Sequence, residues 1–282
     1  MKIVTSVVNN VDFIEIQYYT LKKYFKGEYE FIVFNDAKDF PDFTNDGDVT
    51  IKNKINDLCS KLNIKCINIP NANHNLVKDP STRTANSMNY ILNYQIQNPD
   101  KYLLLDSDMF LVDYFDENKY SNYDCAVVLQ TRNNYKINYF WNGIYYFDMF
   151  KMKNTEALNW NCSPGCDTGG MMQNWLLSQM GNNKIPNTDD LRWSNKDFHT
   201  ENIYFMKHLS SCSWNKSELP KNLNNNIKLI EFFENDIRNE NNKFFCEIYD
   251  NVFLHYRAGG NWRREGLYLH KKLAQELKEV LI

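Results

Sequence analysis

The chain of 282 residues carries 32 basic and 35 acidic side chains, for a net charge of -3, and 43% of its residues are hydrophobic. This balance is typical of a globular protein and excludes the strongly basic surface expected of a nucleic-acid-binding domain. The N-terminal segment MKIVTSVVNNVDF enters a strand-like run without a signal peptide, and apolar runs are too short to span a membrane, so a cytoplasmic location is expected.

Strand-like and helical segments alternate through the first 112 residues. In chain order they are a strand at 2–8, a helix from Phe13 to Tyr24, a strand at 30–37, a helix at 52–63, a strand at 65–70, a helix at 81–97 with Met88, Ile91, Leu92 and Ile96 inward, and a strand at 101–106. Alternation of this kind predicts an α/β fold, with a central, mostly parallel sheet flanked by helices on both faces.

The second half of the chain is less regular. Further elements are strands at 125–129, 142–149 and 251–256, helices near 167–180 and 197–209, and an amphipathic C-terminal helix that should dock on the body of the protein. Linker-like composition and internal repeats are absent from the sequence, so one continuous domain of residues 1–282 is expected.

Polar side chains follow the apolar strands at their carboxyl ends. They are Asn9 and Asn10 after the first strand, Asp36 after the second, and Asp106-Ser107-Asp108 after KYLLL. In open parallel sheets, ligands bind at this edge. Two carboxylates one residue apart predict a site for Mg2+ or Mn2+, ions that commonly bind substrate phosphates as well. Without a cation the two charges should repel, so replacing Asp108 by Ala is expected to cost little stability.

Five segments, in this order, resemble one enzyme family. They are MKIVTSVVNNV, STRTANSMNYIL followed by KYLLLDSDMFLV, FWNGIYYFDMFKM, CDTGGMMQNWL and HYRAGGNW. Together they resemble glycosyltransferases of the GT-A fold, a Rossmann-like fold of nucleotide-diphospho-sugar transferases with a DXD motif. Their order is most similar to family eight, the group of glycogenin and the lipopolysaccharide galactosyltransferases. The resemblance implies a nucleotide-sugar-binding half (1–112), an acceptor-side half (113–264) and a C-terminal helix (265–282).

The resemblance also implies roles for individual residues. Asp106, Asp108 and His255 would hold Mn2+ or Mg2+, and Asp167 and Asn142 would lie at the reaction centre. Residues implied to contact the donor nucleotide sugar are Thr5, Ser6, Asn10, Asp36, Arg83, Asp106, Ser107, Asp108, Gly143, Gly259, Gly260, Asn261 and Trp262. Asp197 is a rival carboxylate, although a helix N-cap is the role expected for it.

The implied reaction is transfer of a hexose or N-acetylhexosamine from a UDP-sugar to a hydroxyl group of a glycan, protein or lipid. In family eight the anomeric configuration is retained, with Asp167 stabilising positive charge at the sugar; in an inverting enzyme Asp167 would be the general base. Lys271, Lys272 and Lys278 leave room for weak contact with a membrane surface.

Two positions depart from the family. Val8 stands where an acidic residue usually contacts uracil, and Asn261 stands where Lys is usual, with Arg257, Arg263 and Arg264 as substitutes nearby. The identity of the donor base therefore stays open.

Two functions from other classes compete with transfer. One is a catalytically inactive module of the same fold that binds sugar nucleotides or glycans. The other is a haloacid-dehalogenase-like phosphatase, which is disfavoured because three strand–helix units precede the D-x-D segment and Met109-Phe110 follows it.

Overall fold

A computed structural model describes residues 1–132, 136–192, 195–262 and 266–282. Its elements, in chain order, are β1 (Lys2–Val7), α1 (Val11–Tyr24), β2 (Phe25–Lys26), β3 (Glu30–Asn35), α2 (Ile51–Leu62), β4 (Lys65–Asn68), α3 (Pro80–Gln97), β5 (Lys101–Asp106), β6 (Met109–Leu111), β7 (Phe115–Asp116), β8 (Cys125–Arg132), β9 (Ile137–Asp148), α4 (Met172–Met180), β10 (Phe198–His199), β11 (Ile203–Phe205), β12 (His208–Leu209), α5 (Ile227–Asn235), β13 (Glu247–Tyr249), β14 (Phe253–His255) and α6 (Leu267–Leu281).

The large sheet has eight strands in the order β10-β11-β8-β9-β5-β1-β3-β4. Strand β1 is an interior strand that pairs in parallel with β3 and β5, while β9 runs antiparallel between β5 and β8. Within this sheet, β9 and β10 run opposite to the other six strands. The prediction of an α/β fold with a central, mostly parallel sheet is confirmed.

Helices cover both faces of the large sheet. Side chains of α1 and α2, such as Ile14 and Ile55, pack in one buried cluster. Side chains of α3 and α4, such as Met88 and Trp175, pack in a second cluster on the other face. The spacing of apolar residues dictates these contacts, because positions three or four apart share one helical face. Ile96 of α3, predicted to face inward, is instead exposed.

A second, four-stranded sheet lies beside the first, in the order β12-β13-β14-β6. Its apolar face packs with α1, α5 and α6 in a third buried cluster. The C-terminal helix α6 docks there as expected, burying Leu273 and Leu277, and Lys278 pairs with Glu15 of α1 at 2.6 Å. None of the described helices is long and apolar enough to cross a membrane.

The helix predicted at 197–209 is wrong, because this segment forms strands β10, β11 and β12. All three residues of β11 are buried, and β11 pairs in parallel with β8 on one side and with the edge strand β10 on the other. Tertiary pairing therefore overrides the apparent helical spacing. Asp197 therefore caps no helix, and its carboxylate pairs with Lys207 at 2.8 Å.

Candidate metal centre and cavity

The two predicted carboxylates lie in the turn where the chain passes from the large sheet to the second sheet. Asp106 ends β5, and Asp108 directly precedes β6. Gln17 of α1 holds both sides of this turn, since its buried amide nitrogen donates to the carbonyl of Asp106 at 2.7 Å and to that of Met109 at 3.0 Å. Asp108 is buried, whereas 38% of the Asp106 side chain is exposed. Helix α1 thus holds the backbone of this turn, and the Asp106 carboxylate is the more exposed of the two.

His255 completes the group from the end of β14. It is the register partner of Met109 across the β14–β6 pair, which places its ring beside the turn. His255 Nε2 lies 3.1 Å from Asp108 Oδ1 and 4.0 Å from Asp106 Oδ2. One ligand atom from each of the three residues lies within 4.8 Å of the others. Two hard carboxylates and one imidazole are a donor set that fits Mn2+ or Mg2+.

The pKa values of Asp106, Asp108 and His255 are shifted in different directions. Although part of its side chain is exposed, Asp106 lies at the floor of a cavity, where desolvation and the neighbouring Asp108 carboxylate raise its pKa to about 7. Burial also disfavours the charged form of Asp108, but the nearby His255 lowers the pKa of Asp108 below its usual value. Burial lowers the pKa of His255, and the Asp108 and Glu247 carboxylates outweigh it and raise this pKa to about 10. Without a metal, protonated His255 therefore neutralises Asp108, and Asp106 is the uncompensated carboxylate.

A cavity of about 880 Å³ opens over these three residues. One wall comes from β1, β3 and α3, and the other from β8, β9 and the segment around Asp167. The predicted site residues that line it are Ser6, Asp36, Arg83, Asp106, Ser107, Asp108, Asn142, Asp167, His255, Gly260, Asn261 and Trp262. The structure thus brings most of the predicted residues to one cavity, at the carboxyl ends of β1, β3 and β5.

Four predicted site residues lie outside this lining. Thr5 is fully buried within β1, and Asn10 caps α1 by accepting from the Asp12 amide at 3.2 Å. Gly259 donates its amide to Asp108 Oδ2 at 2.8 Å, so it contacts a candidate metal ligand from outside the cavity lining. Gly143 lies against the ring of Trp141. Of the substitute cations, Arg257 lines the cavity, and Arg263 and Arg264 lie outside the described residues.

Arg83 and Asp36 line the cavity but are held by protein partners. The Arg83 guanidinium pairs with both oxygens of Asp42 at 2.8 and 2.9 Å, with only 7% of the Arg83 side chain exposed. Asp36 accepts from Lys38 at 2.8 Å, and Asn71 and Ser87 each donate to it at 2.7 Å. These contacts fix the shape and polarity of the wall formed by β3 and α3.

Sequence reasoning missed Glu247, which lines the cavity and hydrogen-bonds His255. The signal lies in EIYDNVFLHY, where Asp250 and Asn251 have positive φ angles of 46° and 70°. Asp and Asn tolerate this conformation in hairpin turns. The hairpin makes Glu247 the register partner of His255. Reading residues 251–256 as a lone strand hid that partner.

The sequence analysis also did not identify Trp141, and the position of this ring explains why residue 143 is glycine. The Trp141 ring lines the cavity, stacks on Tyr249 at 5.0 Å between centroids and lies 5.1 Å from the ring of His255. A Cβ atom on Gly143 would lie 2.2 Å from two carbons of this ring. Glycine is therefore required at 143 by the position of Trp141.

Gly143→Ala is expected to displace the Trp141 ring and to lower the stability of the protein by about 1–3 kcal/mol, the usual cost of overpacking. Thermal melts of Gly143→Ala in the wild-type and in the Trp141→Ala background measure this. The alanine should be nearly harmless once the ring is absent, because the two residues are in direct contact. An equal loss in both backgrounds would contradict this explanation of Gly143.

No protein-family model and no curated protein sequence matches this chain. Among solved structures, the chain is similar to galactosyltransferase LgtC in complex with donor and acceptor sugar analogs, with 14% identity, a TM-score of 0.36, and coverage of 56% of this chain and 62% of that protein. It is also similar to the WbbM bifunctional glycosyltransferase in its apo form, with 13% identity, a TM-score of 0.32, and coverage of 53% and 31%. The matched region spans less than two thirds of either protein, and both similarities are too distant to assign an activity, so function is argued from the site itself.

Proposed function

We propose that the protein is a glycosyltransferase that depends on a divalent metal, Mn2+ or Mg2+. The observation that carries the proposal is the convergence of Asp106, Asp108 and His255 at the floor of the cavity. The donor is a nucleotide-diphosphate sugar, with UDP as the expected carrier and a hexose or N-acetylhexosamine as the expected sugar. The acceptor is a hydroxyl group of a glycan, protein or lipid.

Each wall of the cavity has a part in this proposal. The metal, when bound, would supply a Lewis acid for the leaving diphosphate. Asp106, Asp108 and His255 would hold it, and Gly260, Asn261 and Trp262 would flank the phosphates. The wall with Ser6 and Asp36 would face the nucleoside, because ligands of parallel sheets bind beyond the carboxyl ends of the strands. Thr5, Asn10 and Gly259 would support these contacts from the layer beneath.

The transferred sugar would lie on the other side of the metal centre. Asn142 and Asp167 line that wall, and the neighbouring Thr168 donates to the carbonyl of Ser81 at 2.8 Å, which ties this segment to the start of α3. Asp167 would stabilise positive charge at the anomeric carbon, with retention of configuration. Gly143 would act here indirectly, by making room for Trp141.

Thermal-shift measurements with UDP-, GDP- and CMP-sugars, each with Mn2+ and with a chelator, test the proposal. We expect a UDP-sugar to raise the melting temperature of the protein in Mn2+ but not in the chelator. Addition of a sugar acceptor should then release UDP. Discrimination among bases should be modest, because the side chain of Val8 cannot accept a hydrogen bond from the base. The loss of one neutral hydrogen bond costs about 0.5–1.5 kcal/mol.

The outcomes separate the alternatives. Metal-dependent binding without turnover on any acceptor would favour the inactive binding module. Stabilisation by GDP- or CMP-sugars alone would overturn the assignment of UDP. Full transfer in the presence of a chelator would contradict the proposed dependence on a divalent metal.

A further inference from the structure

Glu247 lies behind the metal centre, on the far side of the His255 ring from the two aspartates. Its Oε2 is 2.7 Å from His255 Nδ1, while His255 Nε2 is 3.1 Å from Asp108 Oδ1. The imidazole therefore bridges two carboxylates through its two nitrogens. Among the described residues, the group with ligand atoms within 4.8 Å of one another contains Asp106, Asp108 and His255 and does not include Glu247.

The carboxylate of Glu247 is itself held in place. The Tyr249 hydroxyl donates to Oε2 at 2.8 Å, and the Ser211 amide donates to Oε1 at 3.0 Å. These two donors fix the carboxylate of Glu247 against Nδ1 of His255, 2.7 Å away.

Histidine has two ring nitrogens, and it can bind a metal through Nε2 only when that nitrogen carries no proton. A carboxylate that accepts from Nδ1–H keeps a proton on that nitrogen, so Nε2 is the nitrogen that loses its proton when the ring binds a metal. The same contact fixes the rotation of the ring. Glu247 supplies both effects, because it is the register partner of His255 across the β13–β14 hairpin.

We infer that Glu247 is a positioning residue of the metal centre, which holds His255 in the tautomer and orientation that direct Nε2 toward Asp106 and Asp108. It sets the affinity of the site for a divalent cation without contacting that cation. The inference rests on the proposed function in that a metal is bound, and it does not depend on whether transfer occurs.

The test is calorimetric titration of Mn2+ into the full-length wild type, Glu247→Gln and Glu247→Ala, without substrate. Loss of a partner of this kind typically weakens metal binding about 10–100-fold. We expect Glu247→Gln to weaken Mn2+ binding about 10-fold, since its amide oxygen can still accept from Nδ1–H. Glu247→Ala should weaken binding about 100-fold, because it leaves no acceptor. Glu218→Gln is the matched control: Glu218 pairs with Arg192 and Lys243, and it lies outside the residues that line the cavity.

Electron spin-echo measurements on bound Mn2+ supply a second readout, because they detect coupling to a coordinated imidazole nitrogen. This coupling should persist in Glu247→Gln and weaken or disappear in Glu247→Ala. Wild-type affinity and coupling in Glu247→Ala would overturn the inference. If Glu247→Ala does not fold, wild-type affinity in the isosteric Glu247→Gln overturns it. Failure of the wild type to bind Mn2+ would instead count against the proposed function itself.

Discussion

Asp108→Asn is expected to destabilise the metal-free protein and Asp106→Asn is not, although each should abolish the proposed transfer. Asp108 accepts from Gly259 at 2.8 Å and pairs with His255 at 3.1 Å, so its loss should cost about 2 kcal/mol, as is usual for hydrogen bonds to charged groups. Asp106 is the carboxylate whose pKa is raised to about 7 by burial and by Asp108. Removing its charge at pH 8 should leave the melting temperature unchanged or raise it.

Melting temperatures in chelator at pH 8, together with turnover in Mn2+, measure both effects. Loss of one metal ligand should lower turnover at least about 1000-fold, because Lewis-acid stabilisation is worth several kcal/mol. Equal destabilisation by the two substitutions would contradict the unequal charges described above. The sequence alone led us to expect little cost at Asp108, because two adjacent carboxylates repel; the structure assigns that repulsion to Asp106 instead.

Gly259→Ala is expected to disrupt the metal centre, whereas Gly260→Ala should be tolerated. A Cβ atom on Gly259 would lie 2.2 Å from Phe13 Cε2 and 3.0 Å from the Cβ of Asp108. Phe13 is fully buried and packs on Phe110 and Tyr256, so it cannot move aside cheaply. The alanine should therefore cost about 1–3 kcal/mol and shift the Asp108 carboxylate.

Gly260 is the matched control, because a Cβ atom there would approach its nearest neighbour, Asn9 Oδ1, at 3.7 Å, an ordinary contact. Thermal melts and Mn2+ titrations of the two variants give the comparison. Similar losses in both would show that the loop requires glycine for backbone freedom. The positive φ angles of this loop lie at Arg257 and Ala258, which favours close packing as the reason for Gly259.

The sequence predicted those parts of the fold and site that depend on local patterns. Apolar strands ending in Asp36 and Asp106 indicated a parallel sheet with polar groups at one edge, and the family resemblance of the segment HYRAGGNW implied His255. What the sequence did not reveal depends on register between distant strands. Glu247 faces His255 only because of a hairpin.

The same limit applies to side chains whose partners are remote in sequence. Arg83 was expected to contact the donor, yet Asp42 and two carbonyl groups bind its guanidinium. The resemblance assigned Gly143 and Gly259 to contacts with the donor nucleotide sugar. In both cases the close neighbour is an aromatic ring, which the pattern of the sequence does not identify.

The amide of Gln17, which bonds to both sides of the turn between the aspartates, would affect the binding of a cation at the proposed site. Because α1 already orders this turn, the chain need not lose conformational freedom when a cation enters. We expect a change at Gln17 to slow or weaken ion capture through entropy, leaving the enthalpy of the ligand bonds nearly as before. Helix α1, which contributes no ligand, would then set the entropy cost of cation binding.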